Sequence, residues 1–310
     1  MLPPAATVPR PGRAFAAPAS PERDTRRGAV RRAAVGAAPL AAALLAAGCA
    51  APGAGPASAD GPGALPAADV LLVGEIHDAP GQAERAADAV RSLAASRRLA
   101  ALALEMAEQG RSTAALPSDA DAAAVRAALA WDARAWPWER YGPVAMAAVR
   151  AGVPVLGANL PRAAMRAARE DVSLDAQLPP DARLRQEAAV RDGHCGLLPA
   201  AQVGPMARIQ IARDRAMART VAEAVRPGRT VLLLAGAAHV DRALGVPQHL
   251  GTQWSVRSIV MRPAGADGLP PADAVWDTPA APVRDHCAEL AARPAPAASG
   301  PRPSAAGTAR

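Results

Sequence analysis

The sequence predicts an α/β fold: a mostly parallel sheet covered by helices on both faces. Short apolar segments alternate with helical patterns along the chain, as in sheets whose strands are joined by crossover helices. The apolar segments are continuous rather than alternating, which is typical of strands buried on both faces. With 310 residues, the chain has room for one such domain and flanking tails.

The predicted strands are short and rich in Val, Leu and Ile. They cover 69–74, 99–105, 153–159, 229–236 and 255–261. Between them, apolar residues recur three and four positions apart, and the helix that begins at Ser118 starts with Ser and Asp residues suited to an N-terminal cap. The predicted helices cover 79–98, 118–131, 142–152, 161–170, 180–192 and 200–226. The region between the second and third strands is expected to form a helical cap.

Residues 1–48 are predicted to be a secretory signal. Basic residues precede an Ala- and Leu-rich apolar segment, which ends in small residues. The first 29 residues are Pro-rich and unlike a signal, so Val30 is a candidate for the true start. Cys49 ends an Ala-Ala-Gly-Cys sequence that resembles a lipobox, and we expect it to be acylated. The alternative is an ordinary signal peptide that is cleaved nearby.

The segments that flank the domain are expected to be unstructured. Residues 49–66 form a Pro/Gly/Ala/Ser linker after the acylated cysteine, and 291–310 have a similar composition. The folded domain is predicted to cover 67–290. We therefore expect an exported lipoprotein anchored in a membrane. The absence of Asp after Cys49 favours the outer membrane, with the protein facing the periplasm.

Charge gives no indication of a nucleic-acid partner. The formal net charge is +7, but residues 1–48 contribute +5 of it, so the predicted domain is near neutral. Export makes cysteine pairing plausible. Cys195 and Cys287 are the cysteines that remain after Cys49. We predict a disulfide between them, and the alternative is two unrelated buried thiols.

Polar residues follow four of the predicted strands at their carboxyl ends, where open parallel sheets form their sites. These residues are Glu75, His77, Asp78, Glu105, Asn159, Arg162 and His239. Gly74 and Gly236 each lie three residues before a His and leave room above the sheet. The sequence therefore predicts a functional site at this edge.

Two chemistries are open for this site. His77, Glu105 and His239 are a reasonable ligand set for a divalent metal with an open position for water. Without a metal, the same residues and Glu75 are suited to general acid and base catalysis. Asp78, Asn159 and Arg162 are expected to support the site.

An aromatic cluster lies between the second and third strands. Trp131, Trp136, Trp138 and Tyr141 fall within eleven residues and could bury a flat apolar ligand. Pro137 interrupts the segment, which suggests a cap over the pocket. The alternative is a small satellite core between two helices.

Several segments together resemble the ChaN-like haem-binding lipoproteins. They are "LLVGEIHD", "ALEM", "WPWERYGPV", "GVPVLGANLPR", "HCGLLP", "RIQIARDRAMA" and "LLLAGAAHVDRALGVPQHL", and the resemblance runs from about 68 to 262. The wider superfamily includes Tiki-type metalloproteases and erythromycin-esterase-like hydrolases, which share paired Gly-x-x-His motifs and an intervening Glu.

The resemblance implies an outer-membrane-associated protein of haem or iron uptake, with haem held between two protomers and Tyr and His near the irons. Because Tyr141 is the single tyrosine, a tyrosinate ligand to iron would have to be this residue. The expected haem-binding residues are Tyr141, His77, His239, Trp136 and Trp138. Relatives carry further His after the first motif, where this chain has Gln82.

Two functions follow from the sequence. The first is an exported haem-binding lipoprotein of haem or iron uptake, with the ligand in a pocket at the strand carboxyl ends. The alternative is a metal-dependent or acid/base hydrolase that uses Glu75, His77, Glu105 and His239. The aromatic cluster favours the first function, and the polar residues at the strand ends favour the second.

Overall fold

Residues 65–292 are described by the computed structural model, and within them six strands form one sheet. The strands are β1 (Val70–Glu75), β2 (Leu99–Glu108), β3 (Val155–Asn159), β4 (Thr230–Gly236), β5 (Val256–Pro263) and β6 (Ala274–Thr278). Their order is β3-β2-β4-β1-β5-β6, and all pairs are parallel. The predicted α/β class is therefore confirmed. The carboxyl ends of β2, β4 and β1 lie side by side at the centre of one edge.

The sheet differs from the prediction in two places. The sequence analysis missed β6, an edge strand that follows β5 without an intervening helix, so the alternation of strands and helices did not reveal it. It also ended the second strand at Glu105, whereas β2 continues to Glu108. Glu105 thus lies inside a strand, between buried neighbours, and not in a loop after it.

Seven helices occur in the described residues. They are α1 (Gln82–Ala95), α2 (Ala122–Ala128), α3 (Trp138–Arg150), α4 (Arg162–Glu170), α5 (Pro180–Gly193), α6 (Ala200–Ala224) and α7 (His286–Ala291). α2 is shorter than predicted because Asp121 is its N-cap and accepts a hydrogen bond from the Ala124 amide at 2.8 Å. α3 begins earlier than predicted, since Pro137 precedes its first turn and Pro143 is accommodated inside it.

Each face of the sheet packs against its own helices, because successive strand residues point to opposite faces. Leu71, Val73 and Leu104 pack with α1 and α3 on one face. Leu72 and Leu233 pack with α6 on the other. Burying each such side chain contributes about 1.5–3 kcal/mol. The two-sided burial explains the continuous apolar segments in the sequence.

The chain after β2 turns back along the outer edge of the sheet. The Gly157 amide donates to the Arg111 carbonyl at 2.8 Å, and the Thr113 amide donates to the Val155 carbonyl at 3.0 Å. Residues 109–113 therefore cover the free edge of β3, which removes an exposed row of backbone donors and acceptors.

Cys195 and Cys287 are joined in a disulfide with a Cα–Cα distance of 5.5 Å, the pairing predicted from the sequence. The predicted signal 1–48, the acylation site Cys49, nearly all of the linker 49–66 and the tail beyond 292 lie outside the described residues. Among the described helices, none combines the length and apolar character that crossing a membrane requires.

Candidate functional site

The turn after β1 places an imidazole directly over the end of the strand. His77 Nδ1 lies 2.8 Å from Glu75 Oε1. Since a carboxylate only accepts, Nδ1 carries a proton, and in the neutral ring the free lone pair is on Nε2. Arg140 donates to the His77 carbonyl from the opposite side. The turn is therefore held at both its side chain and its backbone.

Gln82 fixes the base of this turn. Its Oε1 accepts from the Ile76 amide at 2.7 Å, and its Nε2 donates to the Met261 carbonyl and the Thr278 hydroxyl, each at 3.2 Å. The side chain is buried. The resemblance stated above implies further His in this segment, but this chain has Gln82 there, and the residue has a structural role.

Two close approaches require glycine at the strand ends. A Cβ on Gly74 would clash with Val240 Cγ2 and lie 2.9 Å from Ala237 Cα. A Cβ on Gly236 would lie 3.0 Å from His77 Nε2. These glycines let the short 3₁₀ helix after β4 (Ala237–Val240) pack on β1 and let His77 sit above β4.

Glu105 is the centre of the polar cluster. Its Oε2 accepts from the Gly236 amide at 2.7 Å, and its Oε1 accepts from the Arg213 guanidinium. His77 Nε2 and His239 Nε2 lie 3.8 Å and 3.6 Å from its oxygens. Burial alone would raise the pKa of Glu105, but the charges of His239, Arg213 and His77 lower this pKa to about 2. Glu105 is therefore a permanent buried anion.

His239 is paired on its other side with a carboxylate of α6. Its Nδ1 lies 2.6 Å from Asp214 Oδ1, and both residues are buried. Burial raises the pKa of Asp214, although His239 and Arg213 oppose that rise. Arg213 also donates from Nε to Asn159 Oδ1 at 3.0 Å. One turn of α6 thus fixes both Glu105 and His239.

The sequence analysis assigned no role to Arg213 or Asp214. Both lie in "RIQIARDRAMA", in the middle of a helix that the sequence predicts correctly. Asp214 falls on the buried face of α6, three residues after Ile211 and three before Met217. A carboxylate at a core-facing helical position needs a partner. The position of Asp214 in the helical pattern therefore could have indicated that it belongs to the site.

His77 is the accessible imidazole of the cluster. Its side chain is 39% exposed, against 8% for His239. Burial lowers the pKa of His77, but the hydrogen bond to Glu75 and the charges of Glu105 and Glu75 outweigh burial and raise this pKa. The Trp136 ring packs edge-on against the imidazole, with 4.8 Å between ring centroids.

A cavity of about 420 Å³ opens beside this cluster, between the ends of β2 and β3 and the turn that carries Trp136. Its apolar lining includes Met106, Trp136, Leu160 and Met165, and its polar lining includes Glu105, Asn159, Arg162 and Arg213. This combination of apolar walls and a few polar groups is typical of a small-molecule site.

Comparison with known families identifies the chain. A family model described as haem-binding uptake, Tiki superfamily, ChaN matches residues 63–250. The chain belongs to this family. The matched region includes β1 to β4, the aromatic segment and every residue of the polar cluster.

One solved structure has a similar fold, and two others match more weakly. ChaN of Campylobacter jejuni, solved with cofacial haem, is 23% identical with a TM-score of 0.55, and the match covers 64% of this chain and 84% of that one. The type III effector HopBA1 (14% identity) and a mutant of the erythromycin esterase EreC in its open conformation (17%) each match with a TM-score of 0.38. These matches cover 68% and 63% of this chain, and 88% and 70% of the other chains. No curated protein sequence matches the chain.

Tyr141 was predicted to bind haem iron, but in this ChaN-family chain its side chain lies in the core. The side chain is fully buried, and its hydroxyl donates to Glu75 Oε1 at 2.7 Å. Burial and the neighbouring Glu75 charge raise the pKa of this phenol. The geometry does not fit the predicted iron ligand, because the oxygen is protonated and faces Glu75.

Of the other predicted site residues, some line the cavity and one packs against the core. Trp136, Asn159 and Arg162 line the cavity, and Arg162 donates to Asp132 at 2.6 Å. Trp138 instead packs edge-on against Trp131, with 5.0 Å between ring centroids, and both rings lie against the main core beside α1 and α3.

Asp78 does not join the cluster, because its exposed carboxylate accepts from Arg284 at 2.9 Å. Among residues 65–292, no group of three or more His, Cys, Asp or Glu is arranged to hold a metal ion. The predicted metal ligands His77, Glu105 and His239 do lie together. However, the Arg213 guanidinium pairs with the Glu105 carboxylate, so a positive charge already stands where a metal ion would bind this ligand.

Proposed function

We propose that this chain binds haem in the cavity beside β2, with His77 as the ligand to iron; His77 adjoins the cavity through the Trp136 ring, which lines it. The observation that carries the proposal is the state of the His77 ring. Glu75 holds Nδ1, so Nε2 is the ring nitrogen left for iron; the side chain is 39% exposed, and Nε2 lies 3.8 Å from Glu105 Oε2. A carboxylate on the far nitrogen orients a metal-ligating imidazole and raises its basicity. His239 has the same pattern but is buried.

The residues around His77 fit a haem group. Trp136 and Met165 offer apolar surface for a flat ring, and Arg162 at the mouth is 67% exposed and suits a propionate. The volume of about 420 Å³ lies towards the lower end of the roughly 300–1,000 Å³ usual for ligand pockets, so part of the haem would remain outside. Bound haem supplies an iron centre, while the protein supplies the ligand, the apolar wall and the counter-charge.

We further propose that the exposed face of the haem meets that of a second copy of the chain. The relative from Campylobacter jejuni is described as binding haem cofacially. A haem held by one accessible imidazole in an open cavity leaves such a face free. Sedimentation velocity with and without haemin tests this pairing: a shift from monomer to dimer at one haem per chain supports it, and a haem-loaded monomer overturns it.

Export and lipid anchoring belong to the same proposal. Cys49 lies 21 residues before β1, and the intervening segment is rich in Pro, Gly and Ala, which suits a tether. Expression of the natural chain and of Cys49→Ala, followed by membrane fractionation, tests the anchor. The wild type should sediment with membranes and the variant should be released. Equal membrane association of both would refute the anchor.

The hydrolase alternative has less support from the geometry. Glu105 is held by Arg213 and the Gly236 amide, and its pKa of about 2 makes it a poor proton carrier near neutral pH. Glu75 Oε1 is occupied by both His77 and Tyr141. Each carboxylate of the cluster is paired within the described residues, so the candidate bases that remain there are the imidazoles of His77 and His239.

A haemin titration followed by Soret absorbance tests the proposed function. The wild type should saturate at one haem per chain, and His77→Ala should lose the saturable phase. His286→Ala is the matched control, because this exposed imidazole lies outside the polar cluster, with its Nε2 3.4 Å from the Gly193 carbonyl. Equal binding by wild type and His77→Ala would refute the proposed ligand, and loss in His286→Ala would indicate adventitious binding.

A further inference from the structure

A second cavity lies away from the polar cluster, between α6 and the edge of the sheet formed by β3 and residues 109–112. Its volume is about 660 Å³. Four arginines line it: Arg111, Arg219, Arg226 and Arg229. We call it the arginine cavity.

The positive charges of these four arginines are not offset by ion pairs with carboxylates in the described residues. Arg111 and Arg219 make no side-chain hydrogen bond or ion pair with any residue in the described range 65–292. Arg226 donates to the Glu223 and Val225 carbonyls at 2.9 Å and 2.7 Å, and Arg229 donates to the Arg97 carbonyl at 3.3 Å. Neither of them reaches a carboxylate within the described part of the chain.

Three arginines elsewhere in the described structure show the contrasting arrangement, in which a carboxylate offsets the charge. Arg183 and Arg208 share the carboxylate of Asp175, and Arg213 binds Glu105. Among the described residues that line the arginine cavity, Glu223 is the single acidic one. Four like charges around one carboxylate repel one another, so an anion from solution would lower the energy of this arrangement.

The floor of the arginine cavity is apolar and held in place. Ala100, Ala101, Pro154, Leu156 and Ala224 form the apolar part of the lining. Gln109 ties the edge segment to α6, because its Nε2 donates to the Ala216 carbonyl at 3.0 Å and to the Thr220 hydroxyl at 3.1 Å. The cavity therefore combines a cationic rim with a preformed apolar floor.

The arginine cavity is separate from the proposed haem site. It has no residue in common with the cavity beside Glu105. None of its described lining residues is a His, Tyr, Cys or Met, so it offers no usual ligand to haem iron. Along α6, Arg219 follows Arg213 by six residues, or roughly 9 Å of helix. Ligand binding at the two sites can be measured independently.

We propose that the arginine cavity binds a phosphate-bearing anion. A phosphomonoester carries about −1.5 to −2 charges at neutral pH, which matches four guanidinium groups offset by one carboxylate better than a monoanion does. Guanidinium groups bind phosphate oxygens in a bidentate manner. The ligand is either free phosphate or a lipid headgroup whose chain covers the apolar floor.

Calorimetric titration at about 0.15 M ionic strength tests the proposal. The probes are inorganic phosphate, dihexanoyl phosphatidic acid and dihexanoyl phosphatidylcholine, the last lacking the dianionic headgroup. Saturable binding of phosphatidic acid that is tighter than that of phosphate supports a lipid headgroup. Equal binding of the two supports free phosphate. Binding of phosphatidylcholine as tightly as phosphatidic acid would overturn the proposal.

The double variant Arg111→Gln/Arg219→Gln should bind the preferred probe at least about tenfold more weakly, because it removes the two unpaired guanidinium groups. The matched control is Arg91→Gln/Arg150→Gln, which removes the same charge from α1 and α3 on the opposite face of the sheet. The control should bind like the wild type. An unchanged circular dichroism spectrum and an unchanged Tm of the double variant show that it is folded. Wild-type affinity in that variant, or no saturable binding of either phosphate probe by the wild type, would overturn the proposal.

Discussion

Replacement of Tyr141 by Phe separates a buried supporting role from a ligand role. The hydroxyl donates to Glu75 at 2.7 Å, and both residues are almost completely buried. A hydrogen bond to a charged group contributes about 1.5–3 kcal/mol, and no water can replace this donor in the closed core. We therefore expect Tyr141→Phe to lower the free energy of unfolding by about 2 kcal/mol. For a domain of this size that corresponds to a fall in Tm of roughly 4–8 °C.

Thermal unfolding followed by circular dichroism measures this loss at neutral pH. Ser173→Ala is the matched control, because it also removes a hydroxyl that donates to a carboxylate, Asp171 at 2.6 Å, but on the surface. Water can replace a hydroxyl donor that is lost at an exposed carboxylate, so the control should shift Tm little. Haemin should still saturate Tyr141→Phe, within a few-fold of the wild-type affinity. A variant with wild-type stability and no haem binding would refute the reasoning and restore Tyr141 as the ligand.

Three further results are expected. Glu75→Gln should weaken haem affinity by about 10–100-fold, since it replaces the carboxylate that orients His77 and raises its basicity by a neutral amide; wild-type affinity in the haemin titration would contradict that role of the carboxylate. The pKa of His77 is raised above its ordinary value of 6.5, and a protonated imidazole has no free lone pair for iron. Haem affinity should therefore fall by up to about tenfold per pH unit below that raised pKa and level off above it. Titrations that give the same affinity from about pH 5 to 8 would exclude His77 as the ligand. Gly74→Ala should lower the free energy of unfolding, measured with urea, by about 1–3 kcal/mol because its Cβ would clash with Val240 Cγ2. The control Gly193→Ala should change this free energy little, because its Cβ meets no atom within 4 Å. Equal losses in the two variants would show that the structure around Gly74 relaxes freely.

The sequence predicted the sheet and the location of the site because both depend on local patterns. Continuous apolar segments mark buried strands, and polar residues directly after them mark the carboxyl edge. Glu75, Glu105 and His239 meet there because β2, β4 and β1 are neighbours in the sheet. The edge strand β6 has a weaker pattern and was missed.

The roles of single residues depended on contacts that the sequence does not show. Tyr141 and Glu75 are 66 residues apart, and Asp214 and His239 are 25 apart. A lone tyrosine near a predicted pocket suggested a ligand, but the long α3 helix places it in the core. Likewise, the near-neutral charge of the domain gave no sign of four arginines around one cavity, because net charge says nothing about where charges lie.

The central claim is that His77 Nε2 binds haem iron, and chemical rescue tests it most directly. In His77→Gly, the Soret band should no longer lie at the position found in the wild-type complex. Added imidazole should return the band to that position, because free imidazole can enter the space left by the half-exposed side chain. N-methylacetamide, which cannot supply an imidazole nitrogen, is the control and should restore nothing. A wild-type Soret band in His77→Gly without imidazole would contradict the account.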